Sequence, residues 1–203
     1  DVVVCPSNTA EIVTAVRIAR AHGRPIVPRG AGSGLAGGSV PGRDAIVLSM
    51  TRMNRIVEVD TNNLLAVVEA GVVNAILQTA VERVGLFYPP DPASLNQATI
   101  GGNVATSASG PRCLKYGGTK DYVIGLEVVL TSAEIARLGG RSHQPSSDQP
   151  LIQLLIGSEG TLGIVTEITV RLLPKPPARG TVMATFQRLE EAGSAVGAIL
   201  GDG

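Results

Sequence analysis

The residues with the most distinctive chemical potential are the glycines between positions 28 and 38, a segment that reads PRGAGSGLAGG. It follows a short apolar stretch, 25–27, that is typical of a strand. Glycine costs backbone entropy, so a run of this density indicates unusual φ and ψ angles or a close approach to another group. Consecutive N–H groups in such turns form a concave anion site. The segment therefore predicts a loop that binds a phosphate or a pyrophosphate.

The same segment contains the pattern G-x-G-x-x-G over residues 32–37. That pattern indicates a Rossmann dinucleotide site only where a helix begins at the glycines. Residues 39–44 instead read SVPGRD, which is typical of a turn, and a strand-like run follows at 45–50. We therefore exclude a Rossmann site, and the lack of Gly-Lys-Ser/Thr after the glycines excludes a Walker site. For this segment alone, a glycine-rich surface loop without a ligand remains the alternative.

Two further glycine clusters follow, at 99–103 and 157–163. A proline-rich segment, YPPDP at 88–92, precedes the first of them and can be neither helix nor central strand. Three such clusters in one β-rich α+β chain suggest a single extended ligand that is held by backbone groups. A dinucleotide has the required length.

Composition narrows the remaining function classes. The 203 residues carry 17 basic and 17 acidic side chains, so the formal net charge is zero. This balance argues against a nucleic-acid surface and a polybasic membrane anchor. Cys5 and Cys113 form no C-x-x-C pair, which excludes a cysteine-built iron–sulfur or zinc site and a disulfide framework. We expect a reducing compartment, the cytoplasm, no membrane span and no metal site.

Hydrophobic periodicity and turn residues predict the elements that position these clusters. Asn8 and Glu11 resemble a capping box that opens a first helix, and Gly23 ends it. A second helix is predicted at 73–84 and a last one at 189–200, while 151–156 fits either a helix turn or a strand. The predicted strands are 25–28, 45–50, 55–59, 64–70, 123–130, 134–138, 164–173 and 181–186. We expect an exposed loop at 141–150 and a stiff linker at 174–177.

Together the three clusters resemble, in order, the signatures of the vanillyl-alcohol-oxidase-type FAD-binding domain, also called the PCMH-type domain. Segment 28–38 resembles its pyrophosphate loop. YPPDP at 88–92 and IGGNVAT at 100–106 are similar to its second signature, and GSEGTLG at 157–163 resembles its third. Within that superfamily the likeness is strongest to the glycolate oxidase flavoprotein subunit and D-lactate dehydrogenase family.

The resemblance implies an α+β fold of two subdomains with FAD between them. It places the PCMH-type FAD-binding domain at 1–177 and the first βα unit of a C-terminal cap domain at 178–203. It also implies that N–H groups of the first cluster and the Ser33 hydroxyl bind the pyrophosphate. The residues expected to bind the cofactor are Arg29, Gly30, Ala31, Gly32, Ser33, Gly34, Leu35, Pro90, Asp91, Ser94, Thr99, Gly101, Gly102, Asn103, Thr106, Gly110, Glu159, Gly160, Ile164 and Val165.

Several of these residues have a structural alternative. Arg29 could be a solvated surface charge or pair with a neighbouring carboxylate, Asp91 could cap the turn at Pro92, and Glu159 could hydrogen-bond loop backbone. His22 and His143 lie away from the glycine motifs, so we assign no catalytic base. Covalently flavinylated relatives carry a histidine in the pyrophosphate loop, and none is present here, which predicts non-covalent FAD.

The activity that the resemblance implies is flavin-dependent oxidation of a small 2-hydroxy acid, with hydride transfer to flavin N5. The substrate carboxylate, metal ligands and base of the family come mostly from the cap domain, so we expect this chain to bind FAD but turn over poorly. One alternative is a non-catalytic FAD-binding subunit of a multi-subunit oxidase, which needs an electron-transfer partner. Others are a related oxidoreductase acting on another alcohol or a sugar lactone, and a domain whose site is empty.

Overall fold

A computed structural model describes residues 2–144 and 146–201 of the chain. Its helices and strands alternate along the sequence as an α+β fold. The helices are α1 Thr9–Ala21, α2 Asn74–Glu82, α3 Ile100–Thr106, α4 Cys113–Tyr116, α5 Gln149–Leu155 and α6 Leu189–Gly201. The strands are β1 Val2–Val4, β2 Ile26–Arg29, β3 Ile46–Ser49, β4 Ile56–Asp60, β5 Leu65–Glu69, β6 Leu86–Phe87, β7 Val123–Val129, β8 Ile135–Gly139, β9 Ile164–Arg171 and β10 Leu173–Pro174.

The strands form two main sheets of different character. A three-stranded sheet has the order β1-β3-β2 and is parallel throughout. A five-stranded sheet has the order β4-β5-β9-β7-β8 and is antiparallel throughout. One buried apolar cluster runs through both, from Ile12 on α1 and Leu48 on β3 to Ile168 on β9.

Helix α1 begins where its capping residues predict. The Asn8 side chain accepts a hydrogen bond from Glu11 N at 3.0 Å. The Glu11 carboxylate accepts from Ser7 N at 2.7 Å instead of from the Asn8 backbone, so the box is displaced by one residue. Gly23, with φ +59°, follows the last turn. This confirms the predicted start and end of the helix.

The first glycine cluster forms the connection between two parallel strands. β2 pairs with β3 in parallel, with Ile26 opposite Ile46, and residues 30–45 between them contain no helix. Parallel neighbours usually need a helical crossover of a dozen residues or more. Here a glycine loop replaces the helix, which confirms the expectation that no helix begins at these glycines.

The second glycine cluster folds differently from the loop that its composition suggests. Residues 100–106 form α3, although two of its first three positions are glycine. The Thr99 hydroxyl accepts from Gly102 N at 3.1 Å and caps the helix. Ile100 and Val104 are fully buried. Packing and capping therefore override the low helix propensity of glycine.

The antiparallel sheet follows the sequence pattern closely. Buried and half-buried residues alternate strictly along β9, as the predicted alternation requires. β8 pairs with β7 in the predicted hairpin, with Ile135 opposite Val129. Residues 151–156, for which helix and strand both remained open, belong mostly to α5.

The C-terminal segment differs from its prediction. The expected strand at 181–186 is wrong: these residues are exposed and have no regular structure, because no described strand lies beside them to pair. The expected linker is fixed at its start, since β10 pairs with β6 and Lys175 N donates to Gly85 O at 2.9 Å. α6 has no buried residue. No helix among residues 2–144 and 146–201 is long and apolar enough to cross a membrane.

Candidate cofactor site

All three glycine clusters open onto one cavity of about 750 Å³. It lies where ends of strands from both sheets meet, with Pro28 of β2 on one side and Ile164 of β9 on another. Most of the predicted cofactor residues line it. They are Arg29, Gly30, Ala31, Gly32, Ser33, Gly34, Leu35, Ser94, Thr99, Gly101, Gly102, Asn103, Thr106, Glu159, Gly160, Ile164 and Val165.

The first wall is the loop after β2. In the described part of the chain, none of the N–H groups of residues 31–35 donates to a backbone carbonyl. Backbone donors without partners are costly unless water or a ligand accepts from them. Gly32 adopts φ +73°, a conformation that side chains rarely take. The loop that lines the cavity therefore has successive N–H groups available to a ligand, as an anion site requires.

The second wall is α3, which touches the first wall directly. A Cβ at Gly30 would collide with the Thr99 hydroxyl, so the loop rests against the helix cap. A Cβ at Gly101 would lie 2.6 Å from Ala70 Cβ and 2.8 Å from Ala70 O, so the helix also lies hard against the end of β5. Glycine at these positions allows two backbones to approach more closely than any side chain would permit.

The third wall is the segment after α5, and it is fastened to the other end of α3. Gly157 N donates to Val104 O at 2.9 Å, and Glu159 N donates to Ala105 O at 2.8 Å. These carbonyls in the last turn of α3 lack a partner within the helix. Glu159 adopts φ +52°, and a Cβ at Gly160 would collide with the Pro28 ring. α3 thus joins all three clusters.

Two polar groups at the cavity have unusual surroundings. Ser33 Oγ donates to Ser94 Oγ at 3.1 Å, which ties the first loop to the segment before α3. Asn103 is 2% exposed, and its Nδ2 has no hydrogen-bond partner among the described residues. A buried donor of this kind costs about 1–3 kcal/mol when it stays unsatisfied. Asn103 therefore carries an unsatisfied donor just beneath the surface of the cavity that the residue lines.

Three predicted cofactor residues fall outside the described lining of the cavity. The Pro90 carbonyl accepts from Asn74 Nδ2 at 3.2 Å and from Gln78 Nε2 at 2.9 Å. Asp91 Oδ1 accepts from Arg112 N at 3.1 Å, and its Oδ2 pairs with Arg112 Nε at 3.3 Å. A Cβ at Gly110 would lie 2.5 Å from the carbonyl carbon of Asp91. These contacts tie residues 90–91 to α2 and to the segment 110–112.

Several lining residues were not predicted. Met50 follows β3 and Ala70 follows β5, so their position directly after a strand was the available signal. Ala108 and Ser109 extend the second cluster, and Gly163 belongs to the third. The others are Pro28, Ala36, Gly37, Gly38, Ser39, Pro92, Ala93, Ala98, Ala105, Leu155 and Ser158.

The described lining holds few groups that could exchange protons. Its charged side chains are Arg29 and Glu159, and it contains no histidine, lysine, tyrosine or cysteine. His22 caps the end of α1, and His143 contacts Asn63 O in an exposed loop. Among residues 2–144 and 146–201, no group of three or more His, Cys, Asp or Glu side chains could hold a metal ion. The described lining therefore suits ligand binding through backbone donors and apolar contacts better than it suits proton transfer.

Comparison with known proteins agrees with this geometry. The sequence matches the FAD binding domain family over residues 1–139. It is 47% identical over 200 residues to glycolate oxidase subunit GlcD of Bacillus subtilis (strain 168), which covers 98% of this chain and 43% of that protein. It is 42% identical over 191 residues to D-lactate dehydrogenase of Archaeoglobus fulgidus, which covers 94% of this chain and 43% of that protein. The chain therefore spans less than half the length of these relatives.

A solved structure supports the same conclusion. Alkyldihydroxyacetonephosphate synthase superposes with a TM-score of 0.74 at 30% sequence identity, over 87% of this chain and 32% of that one. A cavity lined by three glycine clusters, the sequence match and this superposition converge, and the chain belongs to the FAD binding domain family.

Proposed function

We propose that this chain binds FAD non-covalently and forms the cofactor-binding part of a flavin-dependent 2-hydroxy-acid dehydrogenase of the glycolate or D-lactate type. The observation that carries the proposal is the cavity that all three glycine clusters line, since residues 31–35 on its wall donate to no backbone carbonyl among the described residues. A dinucleotide offers phosphate oxygens to these N–H groups. The residues present therefore fit FAD.

The chain's own residues would divide the work of binding. N–H groups of the first loop bind the pyrophosphate, and the Ser33 hydroxyl exchanges its hydrogen bond to Ser94 for one to a phosphate oxygen. α3 brings Asn103 and the edges of Gly101 and Gly102 to the flavin side, and the third cluster borders the adenine end. The redox chemistry that bound FAD supplies is acceptance, at N5, of a hydride from the substrate carbon that bears the hydroxyl.

Non-covalent binding is supported by the chemistry of the lining. Histidine, cysteine and tyrosine are the side chains that usually carry a covalent flavin, and the described lining contains none of them. We expect trichloroacetic acid to release all of the FAD into the supernatant. Flavin fluorescence that stays with the precipitated chain would contradict this.

The substrate class rests on the relatives. Two of them are named glycolate oxidase subunit and D-lactate dehydrogenase. For the base and the groups that bind the substrate carboxylate, the described lining offers only Arg29 and Glu159 as charged side chains. We propose that these groups belong to a substrate domain that begins near residue 178.

An anaerobic reduction experiment tests the substrate class. FAD-loaded protein is mixed with glycolate, D-lactate, L-lactate, benzyl alcohol and a sugar lactone, and the loss of visible flavin absorbance is followed. The chain is compared with a version that has the length of its relatives. We expect the longer protein to be reduced by glycolate or D-lactate and the 203-residue chain to react slowly. Reduction by the lactone or the aryl alcohol alone would refute the 2-hydroxy-acid assignment.

A non-catalytic role in a multi-subunit oxidase is the second candidate. The observation that favours it is the word subunit in the name of the Bacillus subtilis relative. Affinity purification of the longer protein distinguishes the two roles. A second polypeptide that co-purifies in fixed stoichiometry, and without which no 2-hydroxy acid reduces the flavin, would favour the subunit role.

A further inference from the structure

The segment that follows β10, residues 175–179, lies against β6 and the end of α2. Leu173 of β10 pairs with Phe87 of β6, and Lys175 N donates to Gly85 O at 2.9 Å. In the described part of the chain, none of the N–H groups of residues 176–188 donates to a backbone carbonyl. Any part of this stretch that is held in place must therefore be held by side chains.

One carboxylate, that of Glu82 at the end of α2, binds this segment twice. Its Oε2 pairs with Lys175 Nζ at 3.0 Å, and its Oε1 accepts from Arg179 Nη2 at 2.8 Å. The Glu82 side chain is 26% exposed, so water and salt screen these two pairs less than pairs on the open surface. The pair of Arg188 with Glu190 is of the open kind, at 3.5 Å with side chains 71% and 75% exposed. Glu82 therefore holds Arg179 more firmly than any contact holds Arg188.

Phe87 gives Arg179 a second contact. Its ring is buried, and Arg179 Cζ lies 4.8 Å from the ring centroid, within the range of a cation–π interaction. Arg112 Cζ lies 5.3 Å from the same centroid. Arg112 in turn pairs with Asp91, and the next residue along the chain, Pro92, lines the cavity. The contact that holds Arg179 is thus linked through Arg112 to a wall of the cofactor site.

The contacts end at Arg179. Residues 180–188 are exposed and have no helix or strand, and nothing lies within 4 Å of the position of a Cβ on Gly180. The helix that follows them, α6, has no buried residue. A segment with few buried contacts and an exposed backbone opens at little cost in free energy.

We propose that Glu82 and Phe87 form an anchor for residues 175–179 and that residues 180–188 are the hinge between this domain and α6. A hinge is a short loop segment that absorbs changes in φ and ψ while the parts on either side keep their structure. The anchor needs no ligand, so it does not depend on the proposed function. Its consequence does rest on that function: a substrate domain beyond the hinge starts from a fixed point beside the cofactor domain.

Limited trypsin digestion of the 203-residue chain tests the anchor and the hinge together. Trypsin draws an arginine or lysine side chain into its specificity pocket, so it cannot cut after Arg179 until that side chain leaves its contacts. Arg188 lies in the proposed hinge and serves as the internal reference. Mass spectrometry of the new N-termini at early times gives the rate of each cut. The ratio of the rate after Arg179 to the rate after Arg188 cancels differences in trypsin activity.

Three variants separate the contacts. Glu82→Gln removes the carboxylate charge and keeps the shape of the side chain, and Phe87→Leu removes the ring but keeps an apolar side chain. Glu58 pairs with Arg141 at 2.7 Å on the antiparallel sheet, so Glu58→Gln controls for the loss of one negative charge and one ion pair elsewhere. A urea midpoint for each variant distinguishes local release of the segment from unfolding of the whole domain.

In the wild type we expect the cut after Arg179 to be at least about fivefold slower than the cut after Arg188. Glu82→Gln should raise the ratio about three- to tenfold and Phe87→Leu by a smaller factor, while Glu58→Gln should leave it unchanged. Added NaCl should raise the ratio in the wild type, because it screens the two ion pairs of Glu82. It should have little effect on the ratio in Glu82→Gln.

Two results would overturn the proposal. One is equal rates after Arg179 and Arg188 in the wild type, which would mean that nothing holds the segment at 179. The other is an unchanged ratio in Glu82→Gln at the wild-type urea midpoint, which would mean that the pairing of β10 with β6 holds the segment alone. A wild-type chain that protects Arg179 but does not bind FAD would support the anchor and refute the proposed function.

Discussion

At the scale of single residues, the glycines matter most where another backbone leaves no space for a side chain. At Gly101 the neighbours are Cβ and the carbonyl oxygen of Ala70, at 2.6 and 2.8 Å from the position of an added Cβ. A backbone atom cannot rotate away as a side chain can. At Gly34, by contrast, nothing lies within 4 Å of the added atom, and φ is not positive.

These two glycines make a matched pair for mutation. We expect Gly101→Ala to destabilise the fold by about 1–3 kcal/mol, the usual cost of overpacking, and to weaken FAD binding by moving α3. Gly34→Ala should leave the free energy of unfolding nearly unchanged. Urea denaturation of the cofactor-free variants measures both. Equal stabilities for the two variants would show that the contact between α3 and the end of β5 is not tight.

Two buried tyrosines make a second pair at this scale. Tyr88 is fully buried, its hydroxyl has no hydrogen-bond partner among the described residues, and burial raises its pKa well above the ordinary value of 10.0. Tyr122 is also buried, but its hydroxyl donates to Tyr116 O at 2.7 Å. The rings meet edge to face at 5.9 Å. The two tyrosines therefore lie in the same core cluster, but only the Tyr122 hydroxyl makes a hydrogen bond.

We expect Tyr122→Phe to cost about 1 kcal/mol of stability, because it removes a made hydrogen bond and leaves Tyr116 O without its donor. Tyr88→Phe should be neutral or stabilising, since it removes only an unsatisfied hydroxyl. Thermal and urea unfolding at neutral pH test the pair. The reverse order of stabilities would mean that Tyr88 has a partner of its own.

At the scale of elements, α3 is the helix on which the site depends. It is seven residues long; its cap contacts the first loop, its second residue contacts Ala70 after β5, and its last carbonyls accept from the segment after α5. A helix this short is unstable alone and needs its cap and its packing. Thr99 supplies the cap and touches the first loop as well.

Removing that cap should affect both stability and binding. We expect Thr99→Ala to cost about 0.5–2 kcal/mol and to lower FAD affinity, while Thr99→Ser should preserve both. Thr79→Ala is the control, because the Thr79 hydroxyl donates to Ala75 O on the exposed face of α2, away from the cavity. If Thr99→Ala and Thr79→Ala have the same FAD affinity, the cap does not shape the site.

The antiparallel sheet carries a row of charges across four strands. Glu69, Glu167 and Glu127 lie opposite one another on β5, β9 and β7. Arg55 pairs with Glu69 and Arg137 pairs with Glu127, each at 2.7 Å. The middle residue, Glu167, has two carboxylate neighbours and no ion pair among the described residues. The row therefore holds one more negative than positive charge.

This arrangement predicts a pH-dependent stability. Burial, and then the charge of Glu127, raise the pKa of Glu167 above its ordinary value of 4.5. The folded state therefore binds this proton more tightly than the unfolded state, and the stability that Glu167 contributes is lost as the pH rises through its folded-state pKa. We expect Glu167→Gln to stabilise the protein at pH 7 by up to about 1 kcal/mol, limited by solvent screening.

The effect should disappear on acidification. Well below its ordinary pKa of 4.5, Glu167 is protonated in both states, so the variant and the wild type should unfold at the same urea concentration. Hydrogen bonds from Asn63 lower the pKa of Asp60, and hydrogen bonds from Arg179 and Lys175 lower the pKa of Glu82. These two groups act in the opposite direction, but they are common to both proteins. Glu191→Gln, on the exposed face of α6, should have no effect at either pH. A stability difference between Glu167→Gln and the wild type that is constant with pH would contradict the charge argument.

At the scale of the whole molecule, periodicity predicted the elements that bury a regular face. α1 and β9 have clear patterns, and the sequence placed both within two residues. α3 was not predicted, because its two glycines and its threonine have low helix propensity and suggest a loop. The helix depends on packing against the end of β5, a contact that the sequence alone does not show. The strand expected at 181–186 failed for the opposite reason: its residues suit a strand, but no described strand lies beside them.

The order of the motifs predicted that the three glycine clusters share one site, and all three line one cavity. The sequence could not reveal that Asp91 pairs with Arg112 and does not belong to the described lining of the cavity. The two residues are 21 positions apart, and only the fold brings them together. Residues such as Met50 and Ala70 have ordinary core chemistry and line the cavity only because their strands end there.

The measurement that tests the central claim most directly is the visible absorption spectrum of the purified chain after incubation with FAD and desalting. We predict a retained, structured flavin band that corresponds to about one FAD per chain, because one cavity is lined by all three clusters. A folded chain that emerges colourless would contradict the account, and the glycine clusters would then serve only to let the backbones pack.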